Sequence, residues 1–235
     1  MKINHRYAWG VAGAGATALL LGSVAFAQTS GTGNLSSAVP GNPAESSPAA
    51  QAAPPSPPGV EETRSQLEEL PVRQEGSDTE YDRDLFPHWS PAEDNCDARE
   101  MVLKRDGNGV SVGEDCYPTS GSWTSPFDGV TTDEPSDVSV DHLVPLKEAW
   151  DSGADTWSTD RREEFANDLA TPQLWAVSPE SNSAKGASDP AEWMPPADGI
   201  DCEYARSWTA VKHAWELSVD PEEKDALTDL LASEC

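Results

Sequence analysis

Positive charge is what this chain has least of. Its 235 residues carry 15 Lys and Arg against 42 Asp and Glu, a formal net charge of −27. A chain so acidic repels polyanions at long range, so composition alone argues against a nucleic-acid partner. That repulsion depends on salt, because the Debye length shrinks to about 3 Å at 1 M. An acid-rich surface is also a lever used by halophiles, and adaptation to high salt is the expectation. Histidine and cysteine are scarce too, four of each. No CxxC pair exists, and beyond residue 76 the histidines are His88, His142 and His213, a poor basis for a zinc site. No repeat is present, and the only long apolar run lies near the start.

That start is Met1 to Ala27: a basic opening (Lys2, Arg6), an apolar run from Val11 to Ala25, and Ala25-Phe26-Ala27 as a cleavage site. The run is short and rich in Gly and Ala, the pattern of a secretory leader rather than a spanning helix. The expectation is export, with no stable membrane association after cleavage. Residues 28–76 are rich in Pro, Ala, Ser, Gly and Glu around Pro54-Pro55-Ser56-Pro57-Pro58. By composition they read as a disordered tether, with at most a helical turn at Leu67 and Leu70. Residues 77–235 are a good size for one monomeric domain. They hold eight of the nine Trp, and their formal balance is 36 acidic against 11 basic residues, or −25. All four cysteines lie there, and an even count in an exported protein reads as two disulfides. Three connectivities are possible. Cys96–Cys116 and Cys202–Cys235 are favoured, one closing a short excursion and one pinning the C-terminus, each worth about 3 kcal/mol on a chain-entropy estimate.

The elements alternate in type. Asp97 with Glu100 makes a capping box for a helix carrying Ala98, Met101 and Val102 on one stripe, with Arg99 off it. Short strands are expected at 110–112 and 115–117. Helices are expected at 146–154, 160–169, 189–193 and 204–217, with a last one opening at Asp220-Pro221. The class is α+β.

Two stretches carry the chemistry. Val138, Val140 and His142 alternate along a strand that Pro145 closes, so Asp141 and His142 point to opposite faces unless the backbone twists. One can hold a cation while the other handles a proton. Some forty residues on, Asn182-Ser183-Ala184-Lys185-Gly186 supplies an amide, an amine and a glycine. Singly, each of these residues has an ordinary structural reading, as does Asn167 near a helix end. Arg99 reads equally well as a surface guanidinium paired with acids. Their order along the chain is the informative feature.

Asp141-His142-Leu143-Val144-Pro145, Asn167 and Asn182-Ser183-Ala184-Lys185-Gly186 resemble the HNH, or ββα-metal (His-Me finger), nucleases. The closer likeness is to secreted bacterial HNH endonucleases and the C-terminal domain of GmrSD-type restriction enzymes, over nearly all of 81–235. The resemblance implies a ββα-metal core with surrounding helices, stapled by disulfides. It implies a secreted endonuclease that hydrolyses phosphodiesters of DNA, or of RNA, with His142 as general base. One divalent cation, Mg²⁺ ahead of Mn²⁺ or Ca²⁺, would be held by Asp141 and the carbonyl of Asn182. Asn167 would brace the His142 loop, and Lys185, with Arg99, would contact phosphate. Ser183-Ala184 stands where Arg-Ser is usual, which removes one basic contact. No helix-turn-helix, zinc finger or basic arm offers base readout, so the expected substrate is nucleic acid without sequence preference. The alternatives are a catalytically inactive tethered module binding cell-wall glycan or a protein, and a calcium-stabilised structural domain. A glycosidase built on paired carboxylates is weaker, since no pair stands out.

Overall fold

Two short strands divide the interior into two cores. β4 (Ser139–His142) and β5 (Leu174–Val177) pair antiparallel, with Val140 opposite Ala176, Asp141 opposite Trp175 and His142 opposite Leu174. Side chains alternate across a strand. Val140, Leu174 and Ala176 therefore join Val102, Leu103 and Trp123 in a smaller core, while Trp175 and Val177 join the larger one. This computed structural model describes residues 53–77 and 79–235. The expected leader (1–27) and the tether up to residue 52 lie outside the described residues.

The smaller core is roofed by α2 (Ala98–Asp106) and a three-stranded sheet. That sheet runs β1 (Asn108–Val112), β2 (Pro118–Thr124) and β3 (Thr131–Thr132), antiparallel throughout. The capping box on α2 forms as expected: Asp97 Oδ1 accepts from the Glu100 N–H at 2.7 Å, and Glu100 Oε2 from the Asp97 N–H at 2.8 Å. The strand expected at 115–117 is instead a turn, in which Cys116 has φ +63° and donates its N–H to the Gly113 carbonyl.

The larger core gathers α3 (Leu146–Asp151), α4 (Thr159–Ala166), α5 (Pro179–Lys185), α6 (Asp201–Ala214) and α7 (Pro221–Ser233). Phe127, Phe165, Trp175, Tyr204 and Trp208 fill it. Several helices stop short of their expected ends. α4 ends at Ala166, because Asp168 turns its carboxylate onto the N–H groups of Ala170 and Thr171. Residues 189–193 form a turn held by Asp189 Oδ1 accepting from the Ala191 and Glu192 N–H groups, rather than a helix. Both favoured disulfides are present, Cys96–Cys116 and Cys202–Cys235.

The tether needs correction. Its last third is part of the fold: α1 (Val60–Glu69) packs on α6 and α7 and puts Leu67 and Leu70 into the larger core. Thr63, Leu67 and Leu70 recur at helical spacing, a stripe that the segment's average composition hid. Fixed partners hold the segment on either side. The Arg206 guanidinium donates to the carbonyls of Pro57 and Pro58, and Val72 bridges Val219 in parallel. The domain therefore begins before Ser77. Leu67→Ala should cost about 2–5 kcal/mol, as large-to-small core changes do. Denaturant unfolding checks this; an unchanged midpoint would return the segment to the status of a tether.

Candidate active site

The last turn of α4 and the end of β4 meet at His142. Carbonyls of a helix's last turn lack intrahelical partners, and Ala166 closes α4. Its carbonyl accepts from His142 Nε2 at 2.9 Å. Nε2 therefore carries the proton, and Nδ1 is left bare as an acceptor. The imidazole is buried, stacked on the Trp89 indole with ring centroids 5.4 Å apart, and meets the His88 ring edge-on at 6.4 Å. Burial pulls its pKa down to about 3, with the charges of Arg83, His88 and Lys185 pushing the same way and the Ala166 carbonyl resisting. His142 is thus a neutral base of low proton affinity.

The loop pressed onto His142 is held in an unfavourable shape. Trp89 has φ +59°, a left-handed conformation that a bulky residue keeps only when its surroundings enforce it. Asn167 supplies the enforcement. Its Oδ1 accepts from the Ser90 N–H at 2.8 Å, and its Nδ2 donates to the Pro87 carbonyl at 2.9 Å. Glu163 adds a bond from the Ser90 hydroxyl at 2.6 Å. Asn167 therefore braces the 87–90 loop that covers His142, rather than the loop that carries it.

On the opposite face of β4, Asp141 meets Lys185. Ser178 caps α5 by accepting from the Ser181 N–H at 3.1 Å, and the hydroxyls of both serines donate to Asp128 Oδ2. α5 thereby rests on β4, and its last turn drives Lys185 inward. Lys185 Nζ donates to Asp141 Oδ1 and to the His142 carbonyl, both at 2.9 Å. Lys185 is 1% exposed and Asp141 4%. Burial pushes the Asp141 carboxyl up and the Lys185 ammonium down, while each charge holds the other ionised. The two stretches singled out in the sequence do come together, but through this pair.

Three expected roles change in consequence. Lys185 does not face solvent, so it is no phosphate contact. Arg99 spans from α2 to the start of β4, donating to the Val138 carbonyl at 2.9 Å, and so serves as a structural tie. The divalent cation expected at Asp141 and Asn182 does not fit. Asp141 Oδ2 is buried without a partner among the described residues, the sort of oxygen a cation would use. Yet Oδ1 already faces an ammonium, and the Asn182 carbonyl accepts the Gly186 N–H at 3.1 Å. Mg²⁺ prefers six oxygens in near-ideal geometry, and this arrangement offers one open carboxylate oxygen beside a positive charge.

Two residues passed over in the sequence act on His142: half-buried His88, whose ring meets it and whose Nδ1 donates to the Phe86 carbonyl at 2.8 Å, and exposed Arg83, whose charge helps to lower its pKa. The sequence signals them only by their place among the aromatics Tyr81, Phe86 and Trp89. A cleft lined by Glu163, Asn167 and Asp168 runs beside the same loop, but its acids make it unsuited to an anion. A further carboxylate group, Asp189, Asp220 and Glu223, converges within 4.8 Å. Glu223 there already accepts from Trp208 and Lys212.

The unfolded chain protonates histidine near pH 6.5, whereas folded His142 does so only at about 3. Its contribution to stability is therefore complete above pH 6.5 and is lost as pH falls towards 3, by about 1.4 kcal/mol per unit. The His142 ring signals in an NMR titration should stay flat from pH 8 to 5. An inflection near 6.5 would contradict the buried neutral tautomer.

Comparison with known proteins supplies the family. Residues 113–230 match the family model for the C-terminal domain of GmrSD restriction endonucleases. A protein of Arthroderma benhamiae, described as an uncharacterized secreted protein, is 48% identical over 184 residues, covering 78% of this chain and 90% of its own. No solved structure matches. The β4–β5–α5 unit, with Asp141 and His142 on one strand and Lys185 on the helix, falls within the matched span, and the chain belongs to the family of GmrSD restriction endonuclease C-terminal domains.

Proposed function

We propose that the protein is a secreted endonuclease that hydrolyses phosphodiester bonds of DNA or RNA without sequence preference. The observation that carries the reading is the tautomer of His142, whose Nε2 is committed to the Ala166 carbonyl and whose Nδ1 remains an acceptor. A general base needs that state at neutral pH. Secretion is supported by two disulfides, which persist in oxidising compartments, and by the description of the fungal relative. Family membership supports the nuclease class.

In the proposed reaction, Nδ1 takes a proton from water as its oxygen bonds to phosphorus. The P–O bond to the 3′ oxygen breaks, and that oxygen takes a proton from solvent. An imidazole held at about 3 is a weak acceptor. The negative charge of an arriving phosphate raises its proton affinity, since an opposite charge nearby favours the charged form. Arg83 and His88 are assigned to the phosphate, in place of Lys185 and Arg99. Asn167 is a positioning residue acting through the 87–90 loop. Asp141, paired with Lys185, aligns the strand end.

The decisive assay is plasmid nicking by the full chain at low and molar salt, with Mg²⁺, Mn²⁺ or Ca²⁺ against EDTA. His142→Ala should lower the rate by about 10²-fold or more, within the range of general-base contributions. Arg83→Gln should raise KM more than it lowers kcat. Because residues 77–235 alone carry a formal −25, nicking should speed up as salt screens the repulsion, the reverse of ordinary counterion release. A folded chain that nicks under no condition would favour the inactive binding module. The locked Asp141 is the observation on that side.

A further inference from the structure

We propose that Lys185 is the resident cation of the Asp141 site: its ammonium neutralises the carboxylate and keeps divalent ions out, so Asp141 becomes a metal ligand only when Lys185 is removed. The geometry supports this from three directions. Nζ lies 2.9 Å from both Asp141 Oδ1 and the His142 carbonyl, so it bonds a carboxylate oxygen and a main-chain oxygen that a cation at this strand end would also use. The side chains are 0% and 5% exposed, so a divalent ion would have to shed its water shell, which Mg²⁺ does reluctantly. It would then sit beside a positive charge in surroundings that screen poorly.

The helix itself enforces the exclusion. Asn182 and Lys185 are three residues apart on α5, hence neighbours on one face. A movement of α5 that offered Asn182 to Asp141 would carry the ammonium along. Gly186 fixes where the helix stops. At φ +58° it donates to the Asn182 carbonyl and so engages one lone pair of the oxygen expected as second ligand. Among the described residues Asp141 Oδ2 remains buried and unpartnered, so removing the ammonium exposes a full carboxylate to an entering ion. None of this depends on whether the chain cleaves nucleic acid.

The test is a titration of the full chain with Mn²⁺ alone, following free Mn²⁺ by electron paramagnetic resonance. Four proteins are compared: wild type, Asp141→Asn, Lys185→Met, and Lys185→Met with Asp141→Asn. Wild type and Asp141→Asn should bind alike, through surface acids only. Lys185→Met should gain one site at least tenfold tighter, and the gain should vanish in the double variant. Loss of binding in Asp141→Asn alone, or no added site in a folded Lys185→Met, overturns the proposal. Should the Lys185 variant not fold, Mn²⁺ broadening of the His142 ring signals in wild type decides: sharp signals at stoichiometric Mn²⁺ support exclusion, and broadened ones refute it. Nuclease activity enters none of these readouts, so cleavage can fail without touching the result.

Discussion

The ammonium of Lys185 ties the site together. It joins α5 to the end of β4 by one ion pair and one main-chain hydrogen bond, all of it buried. Buried ion pairs gain little over apolar packing of the same shape, but losing one partner leaves an uncompensated charge. Such a pair therefore sets arrangement more than stability. Here it fixes which way the Asp141 face of the strand looks. The opposite face, with His142, is then delivered to α4 and the 87–90 loop. The domain repeats the device. Lys212, also buried, bonds Glu148 and Glu223 and so joins α3, α6 and α7. In a chain with so few cations, both of these lysines are spent inside, Lys185 on a strand carboxylate and Lys212 on carboxylates from two other helices.

His142 is built in a correspondingly indirect way. Its partner is a main-chain carbonyl at a helix end, its cover is a strained loop, and that loop is kept in place by Asn167 from the residue after the carbonyl. The end of α4 thus sets the tautomer through Ala166 and the enclosure through Asn167. An imidazole assembled this way is neutral and dry. That economy suits an acidic protein, in which solvated surface histidines would sit among carboxylates and hold protons more tightly.

Much of this was legible in the residue order. The α+β class, the capping box at Asp97, the proline-started last helix, both disulfides and the Asp141-His142 strand follow from local rules that act over a few residues: periodicity, caps, turn chemistry and cysteine count. The resemblance to the GmrSD-type domain rested on short motifs, and the family match bears it out. The α1 stripe failed to register because Thr63 counts as polar and Pro54 to Pro58 dominate the local composition.

Residue order alone marks which stretches meet: the strand with Asp141 and His142, the polar stretch with Asn182 and Lys185, and the helix end near Asn167. Only the tertiary structure decided what they do to one another. Whether Lys185 points to solvent or to Asp141 depends on the angle at which α5 lies on β4. Ser178 and Ser181 on Asp128, fifty residues away in the chain, tie the start of α5 to the turn after β2. Whether Arg99 is a free guanidinium or a tie depends on where the Val138 carbonyl lands. Whether Trp89 and His88 lie against His142 depends on a loop held by Asn167. Local propensities act along the chain, whereas burial and charge pairing act across it. The roles of ionisable groups belong to the second kind.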